Sequence, residues 1–394
     1  MEDKLKAIGN ACFWTAVIIE LIVVIIDKSA YINPYEGIIF RITFLLFCVK
    51  VFTTKYSRRE WLCMAIVGLI VVISYFVNER DEAVRAAMFV FACKDVPIKR
   101  LLKVVLAVTL TGAIVLFGLA VTGVYGKLAV TANFGRGPSP GIIETRYCFG
   151  MGHPNAFQCM IFMMSTVALY LWADKMRWYH FIAVAAANYI MFIFTDSNTA
   201  MLVILAVVFG IALLRYCEKL RNGKAVYIMG ALLVLAVVVF SAVGSHIGIE
   251  TPFMYSLDQV LNGRFQYAHQ IENARMENWH LFAAPENQEY FDQGFIRLFY
   301  WYGIIPGIVY VLGNLYLIYQ SWLKKDYCLL VIVAGYAVFS IMEAHLISVY
   351  LLRNYLLVWL GYYCFQPVAQ NQNAPCGGYL WQLPQMLVKG ADFQ

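Results

Sequence analysis

Runs of about twenty apolar residues recur along nearly the whole of this 394-residue chain, and short basic clusters separate them. That pattern constrains the fold more than any other feature. A segment of that length spans a bilayer core as a helix, and inside lipid a backbone must satisfy its own hydrogen bonds. The chain is 61% hydrophobic and only 14% charged. A soluble domain of this length carries roughly 25% charged residues. The solvent for most of this polypeptide is therefore lipid.

The periodicity and run lengths predict an all-α polytopic membrane protein of about twelve spans. They lie near residues 7–26, 37–53, 60–77, 82–93, 101–124, 156–173, 178–195, 199–214, 225–244, 297–319, 327–346 and 349–365. The first run lacks a small-residue cleavage pattern and reads as an anchor. The fourth run is short, and two pairs (178–195 with 199–214, 327–346 with 349–365) read as tight hairpins. No internal repeat is visible.

Basic residues set the expected orientation. Lys50, Lys55, Arg58 and Arg59 flank one loop, and Lys94, Lys99, Arg100 and Lys103 the next. Lys175 with Arg177, then Arg215, Lys219, Arg221 and Lys224, then Lys324 with Lys325 follow. With twelve spans all these loops share one side, which the positive-inside rule makes cytoplasmic. Both termini are then cytoplasmic too. The net charge of +6 reflects this placement and is not a nucleic-acid footprint. The ten cysteines are scattered singly, with no metal-ligand spacing, so no metal is expected.

Two long loops, 125–155 and 245–296, fall on the opposite, extracytoplasmic side. Long loops in a compact domain are commonly functional. The second is rich in Glu, Asp, Asn, His and aromatics and is expected to fold as a small cap. His153, His246, His269, His280 and His345 all lie on this side, and only His180 does not. Residues 1–365 read as one transmembrane domain. Residues 366–394, rich in Gln, Asn, Pro and Gly at their start, read as a disordered cytoplasmic tail.

Three polar constellations stand at the outer helix mouths. The first is Glu144, Arg146 and His153, followed by Pro154-Asn155. Gly135, Gly137, Pro138, Pro140 and Gly141 bend the chain before it, and Gly150 and Gly152 permit close approach of a ligand to the backbone. Asn155 is placed to cap the sixth span, and a helix N-terminus beside an Arg attracts phosphate. The bland alternative pairs Arg146 with Glu144 or with lipid headgroups. The second is Asn262-Gly263-Arg264, followed by Tyr267 and His269; it suits an anion or a sugar, or is simply a turn. The third is Asp292-Gln293-Gly294, leading to Arg297, where the carboxylate acts as a base or caps the tenth span. Charges also sit inside apolar runs: Glu20, Arg41, Arg85, Glu343 and Arg353. They gather toward one leaflet, and the pairs Glu20–Arg41 and Glu343–Arg353 are expected.

In order, these motifs resemble the Wzy-type polysaccharide polymerases of capsule, exopolysaccharide and O-antigen pathways, within the O-antigen ligase/polymerase superfamily. The resemblance covers roughly residues 75–360. It rests on Asn78-Glu79-Arg80-Asp81, on Arg146 through Phe149-Gly-Met-Gly-His153-Pro-Asn155, on Asp196-Ser-Asn-Thr-Ala200, on Asn262-Gly-Arg264, and on Asp292-Gln-Gly-Phe295 with Tyr302-Gly-Ile-Ile305. The His-Pro-Asn segment is the most specific piece. The chain departs from the family in having Asn198 where an Arg is common and Gln293 after Asp292. The ligase branch usually carries a His at the place of Asp292.

The resemblance implies a C-type membrane glycosyltransferase of a bacterial plasma membrane. Its donor and acceptor are polyprenyl-diphosphate-linked oligosaccharides, and neither metal, cofactor nor nucleic acid is involved. A flippase and a chain-length regulator are the implied protein partners. Arg146 and Arg264, with Arg297 in reserve, are then expected to hold the diphosphate. Asp292 or His153 acts as base, and His269, Tyr267 and Asn155 contact sugar. A ligase and a lipid-linked oligosaccharide flippase are the competing expectations. A carrier of the latter kind commonly shows inverted repeats and broken helices at mid-membrane.

Overall fold

The computed structural model describes residues 2–134, 143–345 and 347–366. The Gly/Pro bend expected at 135–141 and nearly all of the expected tail, from 367 on, lie outside them.

The described chain is mostly helical. Five helices come first: α1 (Glu2–Lys28), α2 (Glu36–Phe52), α3 (Arg58–Asn78), α4 (Glu82–Ala92) and α5 (Ile98–Val121). A two-stranded antiparallel hairpin follows, β1 (Ala129–Asn133) with β2 (Ile143–Tyr147). Then come α6 (Pro154–Trp172), α7 (Trp178–Thr195), α8 (Asn198–Tyr216), the short α9 (Glu218–Asn222) and α10 (Lys224–Ile247). Two small helices, α11 (Pro252–Val260) and α12 (Arg264–Gln270), lie in the long loop before α13 (Gly294–Tyr302). The described residues close with α14 (Ile304–Lys324), α15 (Tyr327–Phe339) and α16 (Leu356–Cys364).

Eight of the described helices are long and apolar enough to cross a membrane: α1, α3, α5, α6, α7, α8, α10 and α14. Their lipid-ready faces are plain on α3, where Leu62, Ile66, Leu69 and Phe76 are exposed. Exposed apolar side chains in such numbers make sense only against hydrocarbon. The other four expected spans form helices shorter than any of these eight: α2 has 17 residues, α4 has 11, α15 has 13 and α16 has 9. The expected run 297–319 is divided between α13 and α14. Gly303 makes the break at φ 93°, a conformation strained for any side chain.

Local sequence explains several ends. Ser57 and Glu60 form a reciprocal capping box at α3: Glu60 N donates to Ser57 Oγ at 3.3 Å and Ser57 N to Glu60 Oε2 at 2.6 Å. Asp326 caps α15 by accepting from Leu329 N at 3.0 Å. The same Asp326 accepts from the Tyr363 and Tyr170 hydroxyls at 2.6 and 3.0 Å. That knot ties the basic-side ends of α6, α15 and α16 together.

The short helices α13 and α15 lie in the interior of the bundle. Every residue of α13 is buried, as are ten of the thirteen in α15. A helix that is apolar all round and enclosed by protein need not span the full bilayer. Between Phe339 and α16 the described residues form no α-helix, only a short turn at Leu351–Arg353. Irregular backbone is tolerated at a membrane edge where it is enclosed by protein or borders a polar cavity.

Candidate functional site

A polar cavity stands at the end of the bundle opposite the basic loops. It consists of two joined chambers of about 290 and 280 Å³. His153, Asn155, Asp292 and Glu343 line both. The first chamber adds Asn133, Phe134, Arg146, Ser197, Asn198, Thr199, Asn262 and Arg264. The second adds Lys28, Tyr290, His345 and Arg353.

Arg146 reaches the first chamber because strand side chains alternate. Along β2, Glu144 and Arg146 point inward while Thr145 and Tyr147 point out. Arg146 Nε donates to Glu144 Oε2 at 2.8 Å, and Nη2 lies 3.5 Å from Asp196 Oδ2. The Phe134 ring covers the guanidinium at 4.3 Å. The Glu144 pairing anticipated above as the bland alternative is formed, and Arg146 faces the chamber nonetheless. Asp196 ends α7 in a left-handed conformation, φ 50°, so Ser197, Asn198 and Thr199 present the start of α8 to the same space.

Arg264 opens α12 after two left-handed residues, Asn262 at φ 52° and Gly263 at φ 75°. Buried Asp258 fixes the turn by accepting from Phe265 N at 2.8 Å. Arg264 Nη2 then lies 3.1 Å from Asp292 Oδ2, and Arg297 Nη2 lies 3.9 Å from Asp292 Oδ1. Asp292 therefore links two guanidiniums. It does not cap α13, whose N-cap residue Gln293 makes no side-chain cap either. Arg297 is fully buried behind Asp292. It stacks at 3.6 Å on Tyr290, donates to the Phe291 carbonyl, and reaches the Ile347 carbonyl at 3.3 Å.

At α6 the capping residue is His153, correcting the expectation for Asn155. His153 Nδ1 accepts from Asn155 N at 3.1 Å, with Pro154 at the first helical position. The Asn155 side chain is thereby free for the cavity, and its Nδ2 donates to Glu343 Oε1 at 3.4 Å. Burial pushes the His153 imidazole below its ordinary value; Asp292 opposes this, and Arg146, Arg264 and Lys28 reinforce it.

Glu343 is the residue whose place the sequence concealed. It sits in the irregular segment after α15, which Gly294 N ties to α13 by donating to the Ser340 carbonyl at 2.8 Å. The expected Glu343–Arg353 ion pair is not formed among the described residues; Arg353 pairs with Asp27. Burial pushes the Glu343 carboxyl above the ordinary carboxylate range, Asp292 adds to the rise, and Arg264, Lys28 and Arg353 oppose it. The neighbouring His345 is enclosed by Phe162, Tyr336 and Phe339, with both ring nitrogens lacking a hydrogen bond. Burial pushes it down to about 3.

Other expectations fail for geometric reasons. Glu20 accepts from Thr43 Oγ1 at 2.5 Å instead of pairing with Arg41. Arg41 and Thr43 are two residues apart on α2 and so face different ways; Arg41 is exposed and Thr43 buried. Tyr267 and His269 do not line the cavity: Tyr267 is 51% exposed, and His269 Nδ1 lies 3.0 Å from the Ser245 carbonyl. Gly150 and Gly152 serve packing. A Cβ on Gly150 would lie 2.2 Å from the Leu116 carbonyl oxygen, and one on Gly152 would lie 2.5 Å from Ala30 Cβ.

The Asn78–Asp81 turn lies away from the cavity. Arg80 stacks at 4.0 Å on Trp301 and donates to the Asn287 carbonyl at 3.2 Å and to Gln288 Oε1 at 2.8 Å. It fastens the long loop to α3. Beside it runs an almost wholly apolar cleft of about 160 Å³ between α3, α4, α13, α14 and α16. Of the five charges noted inside the apolar runs, only Arg85 lines this cleft.

No family model, curated protein or solved structure matches this chain.

Proposed function

We propose that this protein polymerises polyprenyl-diphosphate-linked oligosaccharide repeat units at the outer face of a bacterial plasma membrane. The observation that carries the reading is the meeting of Arg146 and Arg264, far apart in sequence, in one polar chamber with His153, Asn155 and Asp292. Four of the five segments that carry the family resemblance contribute to this chamber. In this reading the chain adopts a twelve-span, C-type arrangement with both termini cytoplasmic. The segment 248–293 is an extracytoplasmic cap.

Glycosyl transfer from a lipid diphosphate breaks the bond between the anomeric carbon and the phosphate oxygen. Negative charge grows on the departing diphosphate as an acceptor hydroxyl attacks and gives up its proton. Arg146 and Arg264 are the cations for that charge; each such donor in a dry site is worth roughly 10²–10³ in rate. Arg297 supports them from behind Asp292, the carboxylate it shares with Arg264. Since Asp292 is committed as counterion to two guanidiniums, the proton passes to Glu343, with His153 beside it. A positioned base contributes roughly 10²–10⁴. Asn155 orients Glu343 and meets the sugar. The apolar cleft between α3, α4, α13, α14 and α16 suits an isoprenoid chain. A flippase would supply the units and a chain-length regulator would set the product size.

The test is to incubate the purified protein with one lipid-linked repeat unit and resolve the products by size. A ladder that disappears in Arg146→Ala and Arg264→Ala supports the reading. Long polymer made by both variants ends it. Transfer of finished glycan to a different acceptor would assign a ligase, and movement of units across vesicles without lengthening would assign a transporter.

A further inference from the structure

The second chamber holds a cation that the reaction described above does not use. Lys28 is the last residue of α1 and only 7% exposed. It nevertheless lines both the polar chamber and a narrow crevice beyond it. Its ammonium has three donors, yet it forms no hydrogen bond or ion pair with any described residue. The ammonium is not sealed off: it opens to the chamber, where an anion can reach it.

The groups facing it are countable. Arg353, Cys159, Asp27 and Glu343 act on its charge, and the chamber wall adds Asp292, His153, His345 and Tyr290. Asp27 is taken by Arg353 and Asp292 by Arg264. Among the described residues Glu343 alone is a carboxylate in this chamber without an ion pair. Arg353 also keeps a buried Nε with no partner. The turn Leu351–Arg353 packs on α1, so the two cations stand together.

Their position says what kind of anion fits. On one side is the polar chamber. On the other, Lys28, Cys159 and Arg353 border a small crevice of about 20 Å³ whose wall is mostly apolar (Val24, Ile25, Met160, Met163, Leu352), with Thr109 and Tyr355 completing it. Cations at the seam between a polar space and an apolar one fit the head of an amphiphile.

We propose that Lys28 and Arg353 form a second anion site in this chamber, which takes the phosphate or diphosphate head of an isoprenoid lipid, its chain leaving along the apolar wall. The inference rests on the polymerase reading, in which two lipid diphosphates bind at once. One head is held by Arg146 and Arg264 and the other by Lys28 and Arg353, on either side of Glu343.

The test is calorimetric titration of the purified protein with farnesyl diphosphate. Two sites are expected in the unchanged chain. Lys28→Gln should weaken one of them roughly 10- to 100-fold, the loss expected for one charge-assisted contact, while Lys28→Arg keeps it. Arg146→Gln should weaken the other. Both sites intact in Lys28→Gln overturns the proposal. Inorganic diphosphate binding the Lys28 site as tightly as farnesyl diphosphate removes the lipid from it, and equal competition by phosphatidylglycerol reassigns it to bulk headgroups; either result overturns the proposal. A photoreactive isoprenyl diphosphate on the unaltered chain gives a second readout. Label on Ile25, Met160 or Met163 is expected, and label confined to the Arg146 chamber overturns the site. Should Arg146 and Arg264 variants still lengthen glycans, the polymerase reading fails, while the titration still decides whether the Lys28 site exists.

Discussion

The Asp292 carboxylate lies 3.1 Å from the Arg264 guanidinium, across the mouth of the polar chamber. In the proposed reaction an incoming diphosphate would compete with that carboxylate for the same cation. Arg146→Ala and Arg264→Ala are each expected to lower chain extension roughly 10²–10³-fold. Membrane insertion and the supply of single repeat units stay unchanged. Product ladders from membranes of equal protein content measure this.

Replacing the counterion separates its role from that of the base. Asp292→Asn is expected to retain chain extension within about tenfold but to destabilise the fold by about 1–3 kcal/mol, because buried Arg297 loses its carboxylate. A thermal melt beside the product assay checks both. Loss of chain extension as deep as that of Glu343→Gln would return the base role to Asp292.

Glu343 sets an expected pH dependence. Only its deprotonated form accepts a proton, and burial raises its carboxyl above the ordinary carboxylate range. Activity should therefore fall on the acid side, with its midpoint above the ordinary carboxylate range. Glu343→Gln is expected to cost roughly 10²–10⁴ in rate and to flatten that limb. A pH–rate profile of both proteins distinguishes this from simple acid unfolding, which would leave the limb in place.

Gly150 offers a structural control away from the reacting groups. It stands at φ 87° with the Leu116 carbonyl oxygen 2.2 Å from where a Cβ would be. Gly150→Ala must push the His153 loop off α5 and is expected to cost about 1–3 kcal/mol. Lower melting temperature and weaker farnesyl diphosphate binding should appear together.

Arg80 tests how the long loop is held. It bridges α3 to Asn287, Gln288 and Trp301. Arg80→Ala is expected to expose the 285–290 segment to proteolysis while the membrane helices stay protected. Unchanged cleavage kinetics would show that other contacts, such as Asn287 Nδ2 donating to the Tyr300 carbonyl at 2.7 Å, hold the loop alone.

Composition made the membrane legible, because hydrocarbon demands apolarity at position after position and leaves its mark on every long run. The polar groups of the site were legible for the converse reason: Arg146, His153, Arg264 and Asp292 stand out against such a background. The partners of each charge were not, because pairing depends on how neighbouring helices are rotated and where each one stops. A two-residue offset on α2 gives Glu20 to Thr43 and leaves Arg41 outside. Helix α15 stops at Phe339, and the unwound chain after it sets Glu343 between Asn155 and Asp292 and leaves Arg353 to Asp27. Gly303 turns one apolar run into two helices, and the inward face of a hairpin that periodicity did not announce delivers Arg146. Solvent preference is a property each residue carries alone, whereas a contact belongs to two residues and exists only once both backbones have been placed.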